Sequence, residues 1–326
     1  MTMINRRDVS LALAALLAGV GSRVAAQAGL PRILVGFPAG GSVDTTARRV
    51  ADAWRGRMAE SVIVEQKVGA GGRLAIGALK DAAPDGQTML LSPSSMFTIY
   101  PHAYRKLAYK PESDVIPVAP LALSTCGFGV GPMVPASVKT LAQFVDWAKA
   151  NPQSAAYASP AAGAMPHFLG NQFERAAGMK LTHVPYRGAA PGMQDLMGGQ
   201  IASGCFSIGD FLPHLAGGRV RLLGVTDAKR SRFAPEAATF EEQGFKGIDG
   251  VESYGLFLPA KTPQPLVDRL ADLARVALRE SAVTEGLAKL GFEPFQMGSA
   301  DYARRLASER EQWGPIVKAS GFSSDD

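Results

Sequence analysis

Short apolar runs alternate along this chain with stretches in which apolar side chains recur every three or four positions. The first run is Ile33-Leu34-Val35, closed by Pro38 and the Gly40-Gly41 pair. Behind it Val43, Ala47, Val50, Ala51, Trp54 and Met58 recur at helical spacing. The pattern predicts a strand, a tight loop and a helix. The unit then returns: 61–65 reads as a strand, Gly69-Ala70-Gly71-Gly72 as a loop and 73–82 as a helix. Pro84-Asp85-Gly86 is a turn, and 88–91 is a third strand ending in Ser92-Pro93-Ser94-Ser95. Strands alternating with helices predict a parallel sheet. Ligands of such sheets lie beyond the carboxyl ends of the strands, which here are the loops 36–42, 66–72 and 92–95.

The second half repeats the alternation. Residues 115–130 are mostly apolar but interrupted by Pro117, Pro120 and Gly127, and are a candidate crossover into a second domain. An amphipathic helix over 139–151 precedes a strand at 155–159, the loop Pro160-Ala161-Ala162-Gly163-Ala164 and a helix over 165–177. A strand at 182–185 leads into the loop 186–191 and a short helix ending at Gly198-Gly199. Further strands fall at 201–206, followed by Ser207-Ile208-Gly209-Asp210, and at 220–225. A return strand at 253–259, a helix from Pro263 to about 280 and an amphipathic helix over 301–318 complete the chain. The last two helices read as packing elements over the first domain's sheet.

The loops carry the candidate chemistry. In 36–42 the glycines let backbone N–H groups approach a ligand closely, and Ser42 suits the cap of the helix that follows. Unpaired amides at a helix N-terminus attract anions, so the stretch reads as a backbone cradle for a carboxylate, or as an ordinary turn. It lacks the lysine of a phosphate-binding loop and the spacing of a dinucleotide fingerprint. Asp44 fits a ligand amine or hydroxyl, or the helix dipole. Ser92, Ser94 and Ser95 fit ligand contact or turn formation. Arg187 suits a carboxylate through its fork, or solvent, and Tyr186 lines or covers a pocket.

Composition narrows the class. The 326 residues are 47% hydrophobic and 19% charged, enough for a large core and about two domains. Residues 1–28 have the form of an export signal: Arg6-Arg7, an apolar run over 11–20 too short to span a membrane, and Ala26-Gln27-Ala28 as a cleavage site. Removing them leaves 31 basic and 28 acidic side chains, a net +3 scattered along the chain, which gives nucleic-acid binding little support. The mature chain is expected to be soluble and outside the cytoplasm, and the resemblance described next makes that location the periplasm. Cys126 and Cys205 show no metal or redox spacing, and whether they are bonded stays open. His102, His167, His183 and His214 are dispersed and read as packing or polar-contact residues. No G-x-S-x-G, S-x-x-K or H-E-x-x-H occurs, so the chain reads as a non-enzyme with neither cofactor nor metal.

With these residues in place the chain resembles the Bug-type solute receptors of tripartite tricarboxylate transporters. The resemblance rests on the stretch from Val35 to Asp44, Gly69-Ala70-Gly71-Gly72 and Ala83-Pro84-Asp85-Gly86. It extends to Tyr157-Ala158-Ser159, His183-Val184-Pro185-Tyr186-Arg187-Gly188, Leu196-Met197-Gly198-Gly199-Gln200 and Val225-Thr226-Asp227-Ala228-Lys229-Arg230-Ser231. It implies a type II periplasmic-binding-protein fold, two α/β domains closing over a cleft. Domain 1 would comprise 29–126 with 250–326, and domain 2 residues 127–249. It implies a small carboxylate ligand, large and small permease subunits as membrane partners, and a monomeric receptor. Carried over by position, the first-domain contacts are Phe37, Ala39, Gly40, Gly41, Ser42 and Asp44 with Ser92, Ser94 and Ser95. The second-domain contacts are Ser159, Gly163, Ala164, His167, Tyr186, Arg187, Gly188 and Ser207.

Two departures from the family pattern point to the ligand. Ala164 stands where a hydroxyl is usual, and Ala202 and Phe206-Ser207 stand where Asp and Asp-Asn are frequent. The pocket is therefore expected to be less polar on its second-domain side and to take a carboxylate with an apolar or aromatic body. A ligand-sensing receptor coupled to a membrane regulator, and a secreted hydrolase, are the alternative readings.

Overall fold

The computed structural model describes residues 30–324, so the expected export signal at 1–28 lies outside the described residues. The sheet is laid out in two halves. In the first, β1 (Arg32–Val35) runs parallel between β2 (Ile63–Gln66) and β3 (Thr88–Pro93). Helix α1 (Ser42–Ala53) follows β1, and α2 (Arg73–Lys80) follows a turn of 3-10 helix at Ala70–Gly72. Val43, Ala47, Val50, Ala51 and Trp54 are buried, as the helical spacing requires. Gly36 at the end of β1 is forced by close approach, since a Cβ there would lie 2.7 Å from the Gly72 backbone. Two one-turn helices, α3 (Ser95–Thr98) and α4 (Tyr100–Ala103), continue from β3.

The stretch read as a crossover forms one continuous strand, β4 (Val115–Val130). Its prolines do not end it, because the register against its partner shifts between Pro117 and Ala119 and between Pro120 and Ala122. Such irregularities tolerate residues that cannot donate to the ladder. From Val115 to Thr125 this strand pairs antiparallel with β9 (Val251–Pro259), which itself pairs with β3. From Cys126 to Val130 it pairs instead with β7 (Ser203–Ser207). Over Gly127–Val130 it pairs also with β8 (Arg221–Val225). The second half is completed by α5 (Leu141–Ala150), β5 (Ala156–Ser159), α6 (Met165–Ala176), β6 (Thr182–Pro185), α7 (Ala189–Met197) and α8 (Ile208–Leu215), with β5 parallel to both β6 and β7.

Thr226 clasps the seam between the halves. Its N–H donates to the Cys126 carbonyl at 2.9 Å, and its hydroxyl donates to the Gly250 carbonyl at 3.0 Å. The chain then returns through β9 to α9 (Gln264–Ala277), α10 (Ser281–Lys289), β10 (Phe292–Pro294) and α11 (Ser299–Ser320). Helix α10 and strand β10 were not expected from the sequence; β10 is a three-residue antiparallel partner of β4. Helix α11 buries Tyr302, Leu306, Trp313 and Val317. It packs on the first half's sheet and also reaches α6, with Trp313 6.4 Å from the Phe168 ring. Cys126 and Cys205 are both buried free thiols.

Candidate functional site

A cavity opens where the halves meet, beyond the carboxyl ends of the strands. The space between its walls, open solvent included, is about 670 Å³. The first half supplies Phe37, Pro38, Gly41, Ser42, Val43 and Pro93, with Glu252 and Tyr254 from β9. The second supplies Pro160, Ala164, Pro166, Gly188, Ala189, Ala190, Ser207 and Asp210.

Four helices begin at this wall. Gly41 is the N-cap of α1, Ala164 of α6, Gly188 of α7 and Ser207 of α8. First-turn amides have no partner inside their own helix, and the helix dipoles place positive potential at these ends. No Lys, Arg or His lines the cavity among the described residues. Positive potential at this wall therefore comes from backbone groups.

The halves touch around the cavity. Gly188 takes φ +99°, and a Cβ there would lie 3.1 Å from Pro38 Cδ of the opposite half. The Tyr104 hydroxyl donates to the Ala162 carbonyl at 2.8 Å, and the Ser124 and Ser207 hydroxyls share a hydrogen bond of 2.6 Å. Pro38 and Gly188 also border an outer space of about 1030 Å³. That space is lined by the loop 68–73, Tyr104, Tyr186 and Arg187. Its charged residues are Arg73 and Arg187, so the approach is basic while the inner wall is not.

The inner wall carries two acids. Asp210 Oδ1 accepts from the Ser42 hydroxyl at 3.1 Å, a bond that crosses between the halves. Burial pushes the Asp210 carboxyl up to about 7, against the lowering effect of that hydrogen bond. Glu252 Oε1 accepts from the Ser95 N–H at 3.1 Å, and burial pushes this carboxyl up to about 7 as well.

The family model described as the tripartite tricarboxylate transporter family receptor matches residues 46–322. The chain belongs to this receptor family. Protein BugT of Bordetella pertussis is 29% identical over 297 residues, covering 89% of each chain. An R. palustris protein solved with adipate is 26% identical, with TM-score 0.85 over 90% of this chain and 98% of that one. MatC from Rhodopseudomonas palustris, solved with bound malate, is 28% identical, with TM-score 0.82 over 88% of this chain and 98% of that one. The Bug-type resemblance and the two-domain α/β fold of periplasmic binding proteins are thereby shown, and the neighbours are solute-binding proteins rather than enzymes.

Within the receptor, the residues singled out in the sequence divide by position. Phe37, Gly41, Ser42, Ala164, Gly188 and Ser207 line the inner cavity, while Tyr186 and Arg187 line the outer space. Ala39 and Gly40 are exposed and lie outside both. Ser42 is not the helix cap: it is the first residue of α1, and its hydroxyl turns to Asp210. Asp44 is turned away from the cavity and ties down the loop. It accepts from Gly40 N–H and Arg48 Nε, each at 2.9 Å, and from Gln66 Nε2. Burial works to raise its pKa, but these bonds hold it below the usual carboxylate value.

The three serines at the end of β3 and just beyond it are absent from the cavity lining. Ser92 bonds the Pro93 carbonyl, Ser94 Oγ accepts from Ser253 N–H, and Ser95 serves Glu252. Ser159 bonds His183 Nε2 at 2.8 Å, and Gly163 N–H donates to His167 Nδ1 at 3.1 Å. The rings of His167 and His183 stack at 3.8 Å, and burial lowers them to about 4 and about 3, so both are neutral. The sequence reading missed Glu252, Asp210 and Tyr254. The available signal was a lone acid within the apolar run 251–259, since an unpaired acid is rarely buried.

Proposed function

We propose that this receptor captures a small organic carboxylate with an apolar body by closing its two halves over the inner cavity. It then delivers the ligand to a transporter built of large and small membrane permease subunits. The observation that carries the reading is the meeting of four helix N-termini at one cavity with no basic side chain in its wall. Pro160, Ala164, Pro166, Ala189 and Ala190 make the second half's wall apolar, which suits an apolar ligand body. The adipate- and malate-bound neighbours support a carboxylate as the ligand class. We place the domain division at 29–126 with 250–326 against 127–249, and the change of partners along β4 between Thr125 and Cys126 supports it. The receptor acts as a periplasmic monomer, released from residues 1–28 near Ala28. No described helix is long and apolar enough to cross a membrane.

The test is a thermal-shift screen against mono- and dicarboxylic acids and their uncharged amides, with mass spectrometry of small molecules released on denaturation. Ligand at about 100 times its Kd stabilises the folded state by about 2.7 kcal/mol. A rise in midpoint with an acid and none with its amide is the expected result. No rise with any acid, and no acid released, refutes the reading.

A further inference from the structure

We propose that a second small-molecule site, outside the cleft between the halves, lies under α11 and binds a carboxylate with a short alkyl chain, Arg310 holding the anionic end. The pocket belongs to the first half alone. It lies between α11, the start of β4 and the end of β9, and the space between its walls, open solvent included, is about 580 Å³. That is within the range of small-molecule sites. It shares no lining residue with the inner cavity or the outer space. Phe257 in its lining stands three positions from Tyr254 of the inner cavity. Odd spacing along a strand puts the two on opposite faces of the sheet.

The pocket has an apolar base and one charged end. Phe97 and Phe257 stack with ring centroids 4.0 Å apart, and the buried Val115 and Leu306 line the same space. Ala307, exposed on α11, borders it with a side chain too short to fill it. Arg310, one turn further along the helix, is the basic residue of the lining. Its side chain is 18% exposed, and its Nε is buried without an acceptor. Nη1 pairs with Glu112, whose side chain is 60% exposed. The neighbouring acids are engaged elsewhere: Asp114 by Lys80 at 3.0 Å, and Glu309 by Arg305 at 2.7 Å.

A guanidinium offers five donors in a fork that suits a carboxylate, and the pair with Glu112 uses one nitrogen of it. Burial works to lower the Arg310 pKa, so a second anion at this end restores stabilisation that the side chain lost on leaving water. An ion pair with so exposed a partner is weak. Glu112 therefore stands in for the carboxylate of a ligand and gives way to one whose chain fills the apolar base. The Arg310 carbonyl accepts from His102 Nε2 at 2.8 Å, which fixes the turn that carries the guanidinium.

The experiment is isothermal titration with butanoate, hexanoate and octanoate, and with octanamide as the uncharged control. It compares the receptor with Arg310→Met, Ala307→Trp and Glu112→Gln, each checked for an intact melting transition. The expected result is a binding event that tightens by up to about fourfold per added methylene. It is weaker by about tenfold or more for octanamide and in Arg310→Met. Ala307→Trp, which fills the pocket and keeps the charge, abolishes it, and Glu112→Gln tightens it. Octanoate binding that survives both Arg310→Met and Ala307→Trp belongs to the cleft and overturns the proposal. Octanamide binding as tight as octanoate overturns it, as does a failure of all three acids to bind; the screen of the cleft is decided separately.

Discussion

Replacing Gly188 with alanine strains the chain in two separable ways. The backbone there has φ +99° and ψ 171°, a region essentially reserved for glycine. The conformation is held locally, because Gly188 N–H donates to the Pro160 carbonyl at 2.9 Å. Forcing an L-residue into it costs about 1–3 kcal/mol, whether or not the halves are docked. The second strain belongs to docking. The new Cβ would lie 3.1 Å from Pro38 Cδ and 3.4 Å from Pro38 Cγ, where carbon atoms prefer about 3.5–4.0 Å. Relieving that overlap costs about 1 kcal/mol, which is about fivefold in Kd.

Thermal denaturation of the ligand-free variant reads the first strain, as a loss of about 1–3 kcal/mol and a midpoint lowered by about 2 °C per kcal/mol. Calorimetric titration with the acid found by screening reads the second. Pro38→Ala in the same chain removes the opposing atoms, so the double variant should recover affinity without recovering stability. Additive effects in that cycle would show that Gly188 and Pro38 do not meet in the bound state. A Gly188→Ala chain with wild-type midpoint and wild-type Kd would refute the whole account.

Three further outcomes follow from named bonds. Ser42→Ala removes the donor that joins the halves at Asp210, and should weaken ligand binding by about 1–2 kcal/mol in titration with little change in the ligand-free melting point. Asp44→Asn leaves Gly40, Arg48 and Gln66 without their common carboxylate; it should lower stability by about 1.5–3 kcal/mol in urea while leaving the ranking of ligands unaltered. The carboxyls of Asp210 and Glu252, raised to about 7 in the folded chain, bind more protons there than in the unfolded chain. Their contribution to stability is therefore full below their unfolded values and is lost as pH rises through 7. Melting curves of wild type against the Asp210→Asn/Glu252→Gln double variant should show a gap that shifts in the variant's favour from pH 5 to pH 7.5, and a constant gap would contradict the burial argument.

How far the site was legible follows from how local each of its parts is. The loop after β1 could be read because Gly40-Gly41 breaks an apolar run and helical spacing begins at Val43, both visible within ten residues. The same local view misplaced the helix cap at Ser42 and left the partner of Asp44 open between a ligand and the helix start. It offered one hydroxyl and one carboxylate near a helix start, but the choice between them is made by Asp210, 168 residues away, which takes the Ser42 hydroxyl. With Ser42 engaged across the cavity, Asp44 is left to bind Gly40 N–H and fix the loop. That residues 115–130 form one unbroken strand was hidden for a related reason. Pro117 and Pro120 look like breaks when only their own missing N–H groups are considered, but the partner β9 absorbs them by shifting register beside each one. Asp210 and Glu252 are the extreme case. Each is a single acid in an apolar neighbourhood, and neither has any local partner that marks it as functional. Only the β4 seam, where one strand changes partners between Thr125 and Cys126, brings β9 and α8, and with them Glu252 and Asp210, to the same cavity. The backbone half of the cavity wall is thus written in short motifs, while its acidic half exists only once the long strand has joined the two sheets.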